Sequence, residues 1–240
     1  MCPICDPSTA SRRGFLSLTA AGLATGLMAT LGSAQAASAG AATALTADQA
    51  LARLKAGNAK YLKAPDVCAA NLAGQRHDMA KHQAPWATIV SCADSRVPPE
   101  LLFGGAGVGE LFVARNAGNM ADTATLGTIE YGSAVLGVPL IVVLGHERCG
   151  AVAAAVEVVD KQTAFPGSIG PMVNAIVPAA QAVKGRPGDF VDNAIRESAQ
   201  RTAQLIATRS PLIAELVKKG KVKVVAARYD LDDGGVEFFA

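Results

Sequence analysis

The sequence predicts an α/β fold with a mainly parallel central β-sheet flanked by helices. Three short, nearly continuous apolar runs, at 86–92, 111–114 and 140–144, indicate strands that are covered on both faces. A fourth strand is predicted at 222–226. Helical stretches separate these strands, and such alternation is typical of parallel sheets because each parallel connection needs a crossover.

The first helix is predicted to begin after Thr46 and to run to about Leu62. Thr46-Ala47-Asp48-Gln49 has the pattern of a capping box, in which the first and fourth side chains bond each other's backbone N–H groups. The glycine run 104–109 is interpreted as a loop, because its spacing differs from G-x-G-x-x-G and it leads into a strand. Later helices are predicted at 122–136, 151–159, 169–183, 190–208 and 211–219.

Residues 1–36 are interpreted as an export signal. Arg12 and Arg13 precede an apolar run at 15–31, and Ala34-Gln35-Ala36 offers the small residues that a signal peptidase requires. This arrangement resembles a twin-arginine signal. An uncleaved membrane anchor is the alternative, because the apolar run is about long enough to span a bilayer.

Cleavage of the signal predicts a flexible tail at 37–45 and a single domain at 46–240. The protein is then expected to be periplasmic or otherwise exported, with membrane contact only transiently during export. Net charge is +2 and the basic residues are scattered, so no nucleic-acid partner is predicted.

Cysteine usage depends on the same cleavage. Cys2 and Cys5 would leave with the signal, so a redox role for this pair requires the signal to be retained. The rest of the chain keeps Cys68, Cys92 and Cys149, and an odd count argues against a disulfide framework in an oxidising compartment. Two metal thiolates and one free thiol are the simpler account.

Reactive residues follow two of the predicted strands. The first strand ends at Cys92, and the third leads into a loop with His146 and Cys149. Sites in open parallel sheets form just beyond the carboxyl ends of strands, so these side chains are expected to converge. Two thiolates and an imidazole suit Zn²⁺ and leave a fourth tetrahedral position open, which is typical of a catalytic site.

Asp94 and Arg96 lie in the loop that follows Cys92. An arginine can hold a carboxylate bidentately and keep it ionised. The carboxylate can then orient a nucleophile by accepting its hydrogen bond. Taken singly, these residues have ordinary alternatives: a buried thiol, a core histidine and a surface ion pair. Their joint placement at two strand ends favours the metal site.

Two segments carry a resemblance to a known family. The run from Cys92 to Pro98, Cys-Ala-Asp-Ser-Arg-Val-Pro, resembles the Cys-x-Asp-Ser-Arg signature of β-carbonic anhydrases. The run from Gly145 to Ala151 resembles their Gly-His-x-x-Cys-Gly-Ala signature. Residues 115–119, 127–131 and 229–230 are similar to further family segments, so the similarity covers nearly all of the chain after about Leu45.

The resemblance implies reversible hydration of carbon dioxide to bicarbonate and a proton by a zinc-bound hydroxide. It implies one Zn²⁺ per chain on Cys92, His146 and Cys149, with Asp94 and Arg96 as the catalytic dyad. It also implies a homodimer or higher homo-oligomer, with the substrate pocket near the subunit interface.

Family subtypes differ beside the metal. One has an inhibitory bicarbonate site built from a Trp three residues before the first ligand, an Arg and a Tyr. Here Arg115 and Tyr229 match, but Ile89 replaces the Trp, which argues against that site. The other subtype has a substrate-binding Gln nine residues before the first ligand, and Gln83 occupies that position.

Two other functions remain open from the sequence. Relatives of this fold hydrolyse carbon disulfide or carbonyl sulfide, and the signatures do not separate these substrates from carbon dioxide. A non-catalytic module that binds zinc or bicarbonate is the alternative from another class. It would require loss of the dyad or of the open metal position, whereas Asp94 and Arg96 are both present.

Overall fold

The computed structural model describes residues 38–39, 42–64, 72–80 and 82–239. The signal predicted at 1–36 and Cys68 therefore lie outside the described residues. Two short strands, β1 (Ser38–Ala39) and β2 (His82–Gln83), pair in parallel. The main sheet contains β3 (Ala87–Cys92), β4 (Leu111–Asn116), β5 (Leu140–His146), β6 (Lys223–Tyr229) and β7 (Val236–Phe238). Its order is β4-β3-β5-β6-β7, and only β7 runs antiparallel to its neighbour.

Helices fill the connections between the strands. None of those within the described ranges is long and apolar enough to cross a membrane. The helix α4 continues directly into a π-helical turn at Tyr131–Val135. The helices are α1 (Ala47–Lys63), α2 (Leu72–Met79), α3 (Pro99–Leu102), α4 (Thr123–Glu130), α5 (Gly150–Lys161), α6 (Ile169–Val183), α7 (Phe190–Arg209) and α8 (Pro211–Lys218).

The central strands are largely apolar because both of their faces are covered. Every residue of β3 and β5 is buried. Leu140 and Val142 of β5 join Leu54 of α1 in one core cluster, while Ile141 joins Ile206 of α7 in another. Each fully buried aliphatic side chain of this size contributes about 1.5–3 kcal/mol, so both layers contribute substantially to stability.

The strand order places a crevice between β3 and β5. These strands are neighbours, but the chain leaves β3 toward β4 on one side and β5 toward β6 on the other. Such a reversal separates the loops beyond the carboxyl ends of the two strands, and open α/β sheets bind their ligands there.

Asn58 of α1 fastens the β6–β7 hairpin to the rest of the fold. Its side chain is 5% exposed. Its Nδ2 donates to the carbonyl oxygens of Leu102 at 3.1 Å and Gly234 at 3.0 Å, and its Oδ1 accepts from the backbone N–H of Val236 at 2.9 Å. One buried amide therefore satisfies three backbone groups from two separate segments.

We expect Asn58→Ala to lower the free energy of unfolding by about 2–4 kcal/mol, because it leaves buried backbone groups without partners. Urea denaturation measures the loss. Asn193→Ala is the control: the side-chain amide of Asn193 in α7 donates to one carbonyl oxygen, that of Pro187, near the surface, and its loss should cost about 1 kcal/mol or less. Equal losses in the two variants would contradict the anchoring role.

The α/β class and the predicted elements are confirmed, with changes at their ends. The capping box is present: Thr46 Oγ1 accepts from Gln49 N at 3.3 Å, and Gln49 Oε1 accepts from Thr46 N at 2.8 Å. Strand β6 begins one residue later than predicted and ends at Tyr229 rather than Ala226. The elements α3 and β7 span four and three residues, too short for a periodic pattern to predict them.

Candidate metal centre and active site

Three of the predicted residues meet in the crevice between β3 and β5. Cys92 is the last residue of β3, His146 is the last of β5, and Cys149 caps the start of α5. Their sulfur and nitrogen atoms lie within 4.8 Å of one another, and all three side chains are buried. The structure thus brings together the predicted ligands, which two adjacent strand ends and one short loop supply.

The imidazole of His146 has a defined tautomer. Its Nδ1 lies 2.8 Å from the carbonyl oxygen of Glu147, which can only accept, so Nδ1 carries the proton and donates it. The lone pair is therefore on Nε2, which is buried and has no hydrogen-bond partner among the described residues. Because an unpaired buried polar atom is costly, it points to a ligand at this position.

The two thiols fit a tetrahedral zinc ion. Both cysteines are free, and their Sγ atoms are 3.9 Å apart. Two sulfurs that each lie about 2.3 Å from a tetrahedral Zn²⁺ are separated by about 3.8 Å, which agrees with this spacing. Thiolate and imidazole ligands also suit zinc chemically. The residues present therefore fit Zn²⁺ and leave its fourth position to a small molecule.

The environment of the two sulfurs makes them unequal in the protein without metal. The Cys149 thiol, together with His146 and the N–H of Gly118 at 3.4 Å, lowers the pKa of Cys92. The shared hydrogen bond with Cys92, and then burial, raise the pKa of Cys149. Any proton that remains on either sulfur must leave when both act as thiolate ligands.

Asp94 and Arg96 form the predicted ion pair at the mouth of the site. Arg96 donates from Nε to Asp94 Oδ1 at 2.9 Å and from Nη2 to Oδ2 at 2.7 Å. The guanidinium holds the pKa of Asp94 well below its usual range, so the carboxylate only accepts hydrogen bonds near neutral pH. Its Oδ2 lies 3.9 Å from His146 Nε2, directly beside the three ligand atoms.

Arg115 of β4 has a supporting role that the sequence did not reveal. Its Nε donates to the carbonyl oxygen of Cys92 at 2.9 Å, and its Nη2 donates to that of Asp94 at 2.6 Å. The side chain therefore fixes the backbone on both sides of Ala93, between the first ligand and the dyad. Only the pairing of β4 with β3 could have disclosed this contact.

The remaining predicted residues lie in strands β2, β3 and β6. Gln83 is partly buried in β2, where it pairs with Ala39, and its contact with substrate stays a prediction. Ile89 is fully buried in the core. Tyr229 pairs with His146 across β5 and β6, and burial raises the pKa of its hydroxyl to about 12. Absence of the inhibitory bicarbonate site likewise stays a prediction.

The sequence is similar to known enzymes over most of its length. The carbonic anhydrase family model matches residues 87–236. The chain is 37% identical over 181 residues to carbonic anhydrase 2 of Mycobacterium tuberculosis, covering 75% of this chain and 87% of that protein. It is 36% identical over 184 residues to the carbonic anhydrase of Mycolicibacterium smegmatis, covering 77% and 89%.

Solved structures agree with this likeness. The β-carbonic anhydrase of Coccomyxa, in complex with acetazolamide, aligns with a TM-score of 0.61 at 26% identity over 73% of this chain and 81% of that one. A tetrameric β-carbonic anhydrase of Sordaria macrospora aligns with a TM-score of 0.61 over 70% and 90%, and at 23% identity it shows the fold alone. The matched family model, the two close relatives and the shared fold show that the chain belongs to the β-carbonic anhydrase family of enzymes.

Proposed function

We propose that this chain catalyses the reversible hydration of carbon dioxide to bicarbonate and a proton, with one Zn²⁺ per chain held by Cys92, His146 and Cys149. The observation that carries the proposal is the buried, unpaired Nε2 of His146 beside two free thiols 3.9 Å apart. The two carbonic anhydrases at 36% and 37% identity support the reaction.

The roles of the side chains follow from their positions. A zinc ion with an open fourth position activates a water molecule as a nucleophile near neutral pH. Asp94 borders the ligand atoms as an ionised acceptor, so it would accept a hydrogen bond from the nucleophile and orient it toward carbon dioxide. Arg96 engages both oxygens of that carboxylate, which would hold it in place as a hydrogen-bond acceptor.

The choice of electrophile is tested by comparing substrates on one preparation. Stopped-flow hydration of carbon dioxide should exceed the hydrolysis of carbon disulfide and of carbonyl sulfide. A preference for either sulfur compound would leave the proposed site unchanged but would identify that compound, rather than carbon dioxide, as the substrate. Bound zinc with no turnover of any of the three would favour a binding module instead.

We also infer a homodimer or a larger homo-oligomer. The supporting observation is the sheet edge at β4, where Phe112 stacks on Tyr131 with ring centroids 6.3 Å apart. Beside it, Tyr131 and Val135 are 45% and 55% exposed, and neighbouring exposed side chains of this kind can form an interaction surface. Light scattering at micromolar concentration is expected to give at least twice the chain mass, and a monomer mass would contradict this.

Export through a twin-arginine signal is the third part of the proposal. It rests on Arg12, Arg13 and the apolar run that follows them, all outside the described residues. N-terminal sequencing of protein recovered from the periplasm should begin near Ala37. Recovery of the intact chain from the cytoplasm alone would contradict export.

A further inference from the structure

We propose that Asp232, in the β6–β7 turn, is a positioning residue for the metal loop and that it acts through Arg148. This inference rests on the proposed function, since the loop concerned supplies His146 and Cys149. It adds a part of the molecule that neither signature segment contains. The structural basis is a set of contacts between the loop and the hairpin.

The backbone of Arg148 has a conformation that needs support. Its φ angle is +52°, in the left-handed region that side chains other than glycine rarely adopt. This residue immediately precedes the ligand Cys149 and lies two residues after His146. A relaxation of φ at this position would change the separation of the two ligands, so the loop depends on contacts that hold it.

Asp232 supplies the most direct of these contacts. Arg148 donates from Nη1 to Asp232 Oδ2 at 3.0 Å and from Nη2 to Oδ1 at 2.6 Å, which is a bidentate pair. Glu147 adds two more links, because its N–H donates to the carbonyl of Tyr229 at 2.9 Å and its Oε2 accepts from the N–H of Leu231 at 3.1 Å. Both residues between the ligands are therefore fastened to the hairpin.

The β6–β7 hairpin is itself held in place by further hydrogen bonds. Asp230 Oδ1 accepts from the N–H of Asp232 at 2.9 Å, and Arg228 holds the other oxygen of Asp230 at 2.9 Å. Asn58 ties the far side of the same turn to α1. Arg148 also contacts the dyad, since its carbonyl oxygen accepts a hydrogen bond from Arg96 Nη2 at 3.5 Å.

A second metal ion at this place is a weaker interpretation. Oxygens of Glu147, Asp230 and Asp232 lie within 4.8 Å of one another. However, Arg148 and Arg228 already pair with these carboxylates, and backbone N–H groups bind two of them. The charges are therefore compensated without a cation, and the geometry favours positioning of the loop.

The exposure of the Arg148–Asp232 pair distinguishes the proposed positioning role from a general contribution to stability. The side chains of Arg148 and Asp232 are 52% and 70% exposed. Exposed ion pairs contribute little to global stability because water and salt screen them. Loss of the pair should therefore leave the unfolding midpoint nearly unchanged while it alters how tightly the loop holds the metal.

The test uses the full-length zinc protein and measures zinc release to a chromogenic chelator. We expect Asp232→Asn to release zinc about three to ten times faster than the unchanged protein. Asp48→Asn is the matched control, because Asp48 forms a similarly exposed pair with Lys223, at 2.8 Å, between α1 and β6. The control should change the release rate less than twofold, and urea midpoints should be nearly equal in all three proteins.

A charge exchange provides the second arm. Arg148→Asp alone should release zinc as fast as Asp232→Asn or faster, and Arg148→Asp combined with Asp232→Arg should restore slower release. Cobalt(II)-loaded samples report the ligand geometry independently of turnover, so the Asp232→Asn spectrum should shift and the exchanged pair should recover. Equal release rates and spectra in Asp232→Asn and the unchanged protein would overturn the positioning role. An unchanged protein that binds no zinc would overturn the proposed function instead.

Discussion

Cys149→Ser is expected to leave purified protein almost free of zinc and to reduce carbon dioxide hydration on the order of a thousandfold or more. Cys149 is 1% exposed, and its sulfur lies 3.9 Å from that of Cys92 at the spacing that tetrahedral zinc requires. A serine hydroxyl of similar size is a much poorer zinc ligand near neutral pH. The hydroxyl keeps its proton, whereas a cysteine thiol loses its proton when it binds zinc. Metal analysis and stopped-flow hydration measure the two losses.

Cys68→Ser makes the same chemical change at a cysteine assigned no role, so it is the matched control for the ligand variant. It should keep one zinc per chain and full activity. Circular dichroism of both variants separates loss of metal from loss of fold. Full zinc occupancy in Cys149→Ser would contradict the assigned ligand set.

Asp94→Asn is expected to lower kcat about 10²- to 10³-fold while zinc content stays at one per chain. The substitution keeps the shape of the side chain but removes its charge. An amide oxygen paired with Arg96 no longer attracts the hydrogen of the nucleophile as an ionised carboxylate does. Stopped-flow kinetics with parallel metal analysis distinguish this effect from loss of the metal.

Two further variants define the dyad. Arg96→Lys keeps the positive charge but removes the two-pronged contact with Asp94, so an intermediate loss of activity is expected. Asp160→Asn is the control. The Asp160 carboxylate is exposed near the end of α5 and makes a long contact, 3.9 Å, with Lys184 Nζ. If Asp160→Asn lost as much hydration activity as Asp94→Asn, the special role of the dyad would be contradicted.

Local sequence patterns predicted the parts of the fold that local physics determines. The capping box at Thr46 requires only neighbours within four residues, and its two hydrogen bonds are present. The apolar runs of β3 and β5 reflect burial on both faces, so they could be predicted as strands without knowing which strands they pair with. The convergence of Cys92 and His146 followed from one rule about where parallel strands end.

Contacts between distant segments could not be predicted in the same way. Arg115 reaches the carbonyls of Cys92 and Asp94 only because β4 pairs with β3. Arg148 and Asp232 are 84 residues apart, and neither lies in a pattern that indicates the other. The sequence therefore indicated which residues to propose for the chemistry, but the residues that hold them in place could be identified only from the topology.

The central claim is that Cys92, His146 and Cys149 hold the zinc on which carbon dioxide hydration depends. The most direct measurement is the zinc content and stopped-flow hydration rate of one preparation before chelation, after chelation and after zinc is restored. The account predicts one zinc per chain at the start, loss of activity in step with the metal, and recovery of both. Undiminished hydration by the metal-free protein, or one zinc per chain without hydration, would contradict it.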